Sequence, residues 1–278
     1  MGLRRRTATP THAALLAALL AGAATAFASP LELVWHDDFS PAERQKLAAW
    51  VYETGAAVER LVGEFPMGVQ VVFHRRDGAR EPVPWANTRR SRGQGVHFHV
   101  DPSYPLAAFR ADWTAPHELS HLILPYLGRR HAWFAEGFAS YLQYPVMQEM
   151  GVLTAAEAER RYRRNFERAE RGYGDARAPF ARAAPRLRAE RKYPVMYWGG
   201  AAYFLQVDKE LAMDGSSLLA VLRDYLRCCR RDRASLDVLL ADLDRLAGAP
   251  LFSDGYARFA SEPGFPEFRD YRPRTDAG

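Results

Sequence analysis

The 278-residue chain is poor in cysteine: Cys228 and Cys229 are the only two, and they are neighbours. That excludes a small scaffold stapled by disulfides, and it excludes a zinc site built on paired C-x-x-C ligands. A bridge between adjacent cysteines needs an unusual backbone, and the pair falls in a stretch with helical character. The expectation is therefore no bridge between the two, with at least one of them buried and intermolecular pairing in an oxidising compartment as the alternative. Long apolar runs are also missing after residue 28, so nothing beyond the N-terminus reads as a membrane-spanning helix. No internal repeat is visible, which excludes solenoid and propeller plans. Nor is there a large excess of charge. The chain has 38 Lys+Arg against 33 Asp+Glu, and three of those arginines, Arg4, Arg5 and Arg6, belong to the N-terminal segment. Without them the balance is close to neutral, which gives no electrostatic reason to expect a nucleic-acid partner.

That N-terminal segment reads as a secretory signal. Arg4 to Arg6 precede an Ala/Leu-rich run from Ala13 to Phe27, and Ala26-Phe27-Ala28 offers a small-x-small cleavage site before Ser29 and Pro30. The run is too short and too rich in alanine for a membrane anchor. The reading predicts a signal peptide over 1–28, a cut after Ala28, a secreted or periplasmic protein, and no stable membrane insertion of what remains. About 250 residues then suffice for one large domain or two closely associated lobes.

The part that carries chemistry runs from His117 to Tyr141. His117-Glu118-Leu119-Ser120-His121 has the H-E-x-x-H spacing. On a helix the two histidines lie one turn apart, project from one face and can reach a single metal ion. Glu118 sits about 100° round the helix, placed to bond a water rather than to ligate. A reactive zinc site keeps three protein ligands and one exchangeable position, so a third ligand is owed. Glu136 is the candidate, on a second apolar helix from Ala132 to about Leu142 that turns back along the first. Thr114 is the expected N-cap of the first helix, with Leu119, Leu122 and Ile123 on its apolar face and Gly128 beyond its end. One Zn2+ is the implied cofactor. Ser140, one turn after Glu136, is a candidate to hydrogen-bond a metal ligand from outside and hold it in place.

With those residues in view, a family resemblance follows. H-E-L-S-H followed by W-F-A-E-G-F-A-S-Y resembles the zinc signature of the gluzincin metallopeptidases, and Glu136 to Tyr141 is similar to the aminopeptidase N family. The match is local, covering His117 to about Tyr144 and a weaker stretch near Tyr197. The fourteen residues between His121 and Glu136 are fewer than that family usually places there. Its G-x-M-E-N strand motif, which holds the substrate's free amino group, is absent. The short spacer and small size look more like compact single-unit gluzincins. Tyr197-Trp198-Gly199-Gly200-Ala201 resembles the family's Y-E-K-G-A stretch, and the resemblance implies that Tyr197 stabilises the transition state, with Tyr193 as rival donor. Gly199 and Gly200 are expected to allow that helix close to the zinc helices.

The remaining elements frame this centre. Leu31 to Trp35, Val69 to Phe73 and Gly95 to Val100 read as strands. Ser40-Pro41-Ala42-Glu43 is a capping box opening a helix to about Gly63. Arg75 to Gly93, with six arginines, reads as a solvated loop or a flap over the cleft. His97 and His99 share one face of their strand, either lining a substrate groove or simply at an edge. Thr154 to Glu157 opens a charged helix to about Arg171. Pro179 to Tyr193 reads as irregular. Helices follow over about Met196–Leu211, Ser216–Cys229 and Ser235–Leu246, with a short element over Phe252–Glu262 and a loose tail from Arg272. The fold class is α+β: a small N-terminal α/β lobe (about 29–128), central zinc-binding helices and a mainly helical C-terminal lobe (about 129–270), on the thermolysin-like gluzincin plan.

The functional expectation is a secreted zinc peptidase acting on peptide or polypeptide substrates. His117, His121 and Glu136 hold the metal, and Glu118 is the general base. Without G-x-M-E-N, no residue is found to hold an α-ammonium group, which favours internal cleavage over aminopeptidase action. The alternatives are a zinc hydrolase of a non-peptide or cell-wall amide, and a catalytically idle zinc-binding interaction protein. Oligomeric state, physiological substrate and regulation are not legible.

Overall fold

A computed structural model describes residue 2 and residues 31–90, 93–174 and 177–269. The segment read as a signal peptide, residue 2 apart, and the tail from Arg272 lie outside the described residues. The chain begins with β1 (Leu31–Trp35), α1 (Pro41–Val62) and β2 (Val69–Arg75), followed by β3 (Trp85–Arg89) and β4 (Gln94–Val100). The strands form one sheet in the order β1-β2-β4-β3. β1, β2 and β4 are parallel, with Trp35, Phe73 and Phe98 in register, and β3 returns antiparallel on the outer edge of β4. The turn from β3 into β4 passes through Gly93 at φ +117°, backbone that favours glycine.

The capping box at Ser40 is present, with both reciprocal bonds between Ser40 and Glu43. α1 lays Leu47, Trp50, Val51 and Val58 against one face of the sheet, where Trp50 meets Phe98 and Phe109 at ring separations of 5.1 Å. On the opposite face the parallel register puts polar residues in a row, including His74 and His99.

After β4 come α2 (Leu106–Ala111), α3 (Thr114–Ser120), a 3-10 turn at Arg129–His131, α4 (Ala132–Glu149), α5 (Ala155–Tyr173), α6 (Phe180–Ala189), α7 (Tyr193–Met213), α8 (Leu218–Cys228), α9 (Leu236–Ala247) and α10 (Leu251–Ser261). One apolar core, running from Leu31 to Phe268, joins the sheet side to the helical side. No helix among the described residues is long and apolar enough to cross a membrane.

Four expectations are corrected. The stretch 75–93 contains strand β3, because the edge of β4 supplies the ladder that W-A-N-T-R does not announce. Residues 179–193 contain α6, whose Phe180, Ala183, Ala184 and Leu187 are buried. α4 runs past Pro145 to Glu149, since Val146 and Met147 are fully buried and their packing outweighs the hydrogen bond that proline removes. Cys228 and Cys229 are bonded to each other, and neither is buried. α8 ends at Cys228, and Cys229 has left the helical backbone (φ −136°, ψ −7°), which removes the helical constraint assumed from sequence.

Candidate metal centre

α3 is short, and its start is set by Asp112: a carboxylate oxygen accepts from the Thr114 backbone N–H at 2.8 Å, so Thr114 is the first helical residue rather than the cap. Its last turn is tightened, with Leu122 N–H donating to Leu119 O and Ile123 N–H to Ser120 O. Helical geometry nonetheless persists through His121, whose N–H donates to His117 O at 3.2 Å. The two imidazoles therefore stand one turn apart, ring centroids 4.8 Å from each other.

α4 brings Glu136 to them. One carboxylate oxygen lies 3.3 Å from His117 Nε2 and 3.4 Å from His121 Nε2. Donors on a tetrahedral zinc at about 2.0–2.1 Å stand about 3.4 Å apart, so both measured edges match one ion. The donor set, two imidazoles and a carboxylate, is also of zinc type and leaves one position open. The residues present fit a single zinc ion. In the metal-free chain, burial would raise the Glu136 carboxyl, but His121 and His117 more than offset it and hold it well below the usual carboxylate range. His117 shows the reciprocal effect: burial opposes its charge, and Glu136 nevertheless raises its pKa.

The other ring nitrogen of His117 lies 3.1 Å from Gln143 Oε1. Gln143 was not singled out from sequence, although its place seven residues after Glu136 sets it two turns along the same helical face. Ser140, the residue nominated for that task, is buried and lines a neighbouring cavity instead.

Glu118 is half-buried beside the metal cluster. Thr88 Oγ1 on β3 donates to its Oε2 at 2.8 Å. Arg90, at the end of β3, donates to the carbonyls of Leu124 (2.7 Å) and His121, closing the C-terminal end of α3 with a positive charge. Burial brings the Arg90 pKa down to about 10, which leaves it charged at neutral pH.

Tyr197 reaches the site because α4 and α7 touch backbone to backbone. A side-chain carbon on Gly137 would fall 2.2 Å from the Gly200 carbonyl carbon, and one on Gly200 would fall 2.2 Å from Trp133 O. Gly200 thus makes the close approach expected of it, while Gly199 faces Phe180 of α6. The Tyr197 ring stacks over His117 at 5.8 Å. Burial first, then Glu136 and Glu118, push its phenol well above the ordinary range, so it stays a protonated donor. Tyr193 is exposed and lines a different cavity from the one holding Glu118.

A cleft of about 800 Å³ holds Glu118, His121, Glu136 and Tyr197, with β3 residues 85–89 as one wall. The strand wall of the cleft is thus β3, and neither His97 nor His99 lines it. Those histidines stack with His74 on the other face, at 5.2 and 4.5 Å.

No family model and no curated protein matches the chain. Among solved structures its fold is that of the M1 zinc metallopeptidases. An aminopeptidase N family protein from Idiomarina loihiensis superposes with a TM-score of 0.61 at 15% identity, over 85% of this chain and 46% of that one. Yeast LTA4 hydrolase gives 0.59 at 13% identity, over 88% and 39%. An M1 zinc metallopeptidase from Deinococcus radiodurans gives 0.52 at 15% identity, over 87% and 51%. The chain therefore spans about half the length of these neighbours or less. At such identity the likeness is one of fold, and it agrees with the resemblance carried by His117 to Tyr141.

Proposed function

We propose that the protein is a zinc-dependent peptidase with the two-lobed gluzincin plan, exported by its N-terminal segment, and that it cleaves internal peptide bonds. The observation that carries the reading is the His117-His121-Glu136 cluster, with donor separations of 3.3 and 3.4 Å, opening into the same cleft as Glu118 and Tyr197. A zinc ion held there supplies Lewis acidity, polarising a carbonyl and acidifying a water toward pKa of about 7. Glu118 accepts a proton from the attacking water and returns it to the leaving amine. Thr88 and the helix end closed by Arg90 hold Glu118 in place. Tyr197 donates to the carbonyl oxygen as negative charge develops on it, a contribution of about 3 to 4 kcal/mol where such donors have been removed.

Internal cleavage is supported by the charges of the cleft. Glu118 and Glu136 are the only carboxylates among its lining residues, and both have other work. A substrate's α-ammonium group finds no third one. Asn87 and Thr88 of β3, which border this cleft, are uncharged and supply no acidic partner for an α-ammonium group either.

The experiment is incubation of the purified protein with a denatured protein mixture, with and without a chelator, followed by mass spectrometry of the fragments. Chelator-sensitive internal fragments are expected, and N-terminally blocked peptides should be cut as readily as free ones. Residues lost singly from free amino ends alone would refute internal cleavage, and no hydrolysis at all would refute the peptidase.

A further inference from the structure

The charge around the metal centre is uneven in a way that the zinc chemistry does not use. Arg89, Arg129, Arg188 and Arg233 line the main cleft. On the far side of Tyr197, which borders both cavities, a second cavity of about 410 Å³ lies between α4, α5 and α7, lined by Arg161 and Arg164. Its other walls are largely aromatic, and the Arg161 guanidinium stands 6.0 Å from the centre of the Tyr144 ring. This second cavity has no carboxylate in its lining.

Among the described residues, none of these six arginines has a carboxylate within ion-pairing distance. Elsewhere Arg75, Arg110 and Arg258 lie 3.0, 2.7 and 2.5 Å from Glu43, Glu53 and Glu210. The four acidic residues of α5 are turned elsewhere: Glu157 caps the helix through Thr154, Glu159 pairs with Arg163, Glu170 pairs with Arg269, and Glu167 lines a separate cavity beside Arg269. Six guanidiniums without a direct ion-pair partner among the described residues, on two sides of one site and in concave surfaces that focus the field, attract an anion strongly. Guanidinium is also the group best matched to a carboxylate, by paired N–H donors.

We infer that the substrate is an acidic polypeptide segment, whose Asp and Glu side chains flank the bond presented to Glu118 and are received by Arg89, Arg129, Arg188 and Arg233 on one side and by Arg161 and Arg164 on the other. This rests on the peptidase reading and narrows it. A peptide is favoured over other polyanions because β3 offers an open strand edge along the cleft, to which an extended chain can add.

The test is binding to the zinc-loaded Glu118→Gln protein, which holds substrate without consuming it. Fluorescence anisotropy is measured with N-acetylated, C-amidated peptides of one length: an acidic one, its Asn/Gln isostere and a Lys-bearing one, with a single-stranded oligonucleotide of equal charge alongside. The acidic peptide should bind at least about tenfold tighter than the isostere at low salt, and the gap should close as salt rises. Arg161→Gln/Arg164→Gln and Arg188→Gln/Arg233→Gln should each reduce that preference, and their circular dichroism should match the parent. Equal binding of acidic and isosteric peptides at low salt overturns the inference, as does tighter binding of the oligonucleotide. The two readings fail differently. Wild-type protein that cuts neutral and acidic peptides with equal kcat/KM keeps the peptidase and removes the acidic preference. An acidic peptide held through these arginines but never cleaved keeps the anion-binding cleft and removes the peptidase.

Discussion

The two walls of the cleft are built on different principles. The helical wall, α3 with α4 and α7, holds its groups by close packing: His117 and His121 are buried, and the Gly137–Gly200 contact leaves no room for adjustment. The strand wall is five residues at a sheet edge, with Trp85 58% exposed, tied to the metal side through Thr88 and Arg90. Metal ligands must be placed to within fractions of an ångström, and a close-packed interior supplies that rigidity. A wall that receives a chain must keep its backbone edge open, which an apolar, fully paired strand cannot do. The difference predicts that substitutions on the helical wall act on metal and chemistry, and those on the strand wall act on substrate and alignment.

The largest effect separates roles within the helical wall itself. Glu118→Gln should keep stoichiometric zinc and lose hydrolysis by several orders of magnitude, whereas His121→Ala should lose the zinc. Metal analysis beside a peptide-cleavage assay reads both. A zinc-free Glu118→Gln, or a fully active one, breaks the division between ligand and base.

Next comes Tyr197→Phe, which deletes one oxygen. A fall in kcat of about 100-fold with KM and zinc content little changed is expected, because the phenol is needed as charge develops and not before. Tyr193→Phe should stay near wild type, since Tyr193 lies in the other cavity. The reverse pattern would move the role one helical turn along α7.

The helical wall was largely legible and the strand wall was not. H-E-L-S-H, the apolar periodicity of α3 and α4, and Gly200 are all signals of burial, and burial is what sequence patterns record best. The capping boxes at Ser40 and Thr154 fixed two helix starts for a similar reason, being local and complete in four residues. β3 has no apolar alternation and a single branched residue, Thr88, and Pro82 and Pro84 just before it read as loop. Its strand character comes from pairing with β4, a partner that no local window contains. α6 was hidden by Pro179 and Pro185, and its helix rests on burial against α7 and α10, which only the tertiary structure supplies. Gln143 was missed because a glutamine in an apolar helix carries no mark until His117 is seen beside it.

Gln143 provides the third test. Removing its bond with Gln143→Leu should weaken zinc binding about 10- to 100-fold, the usual range for a lost outer partner of a metal-bound histidine. Ser140→Ala should leave zinc affinity unchanged. Competition with a chromophoric chelator measures both. A larger loss for Ser140→Ala would return the task of orienting a metal ligand to Ser140.

The smallest effect bears on the strand wall. Thr88 is the residue through which β3 touches the chemistry, by one hydroxyl donating to Glu118 at 2.8 Å. Thr88→Val keeps the branched shape and the strand preference while deleting that donor, so β3 should remain paired with β4. Glu118 then keeps its place on α3 but loses one restraint on its rotamer. The cost of a single hydrogen bond to a charged group, about 1.5 to 3 kcal/mol at full strength, is an upper limit here because Glu118 is half exposed to water that can replace the hydroxyl. A fall in kcat of about tenfold or less is expected, with zinc content and melting temperature unchanged. If Thr88→Val instead raises KM and spares kcat, β3 acts on the substrate alone and its bond to Glu118 is incidental. If zinc is lost, the strand wall helps to hold the metal after all, and the division between the two walls fails.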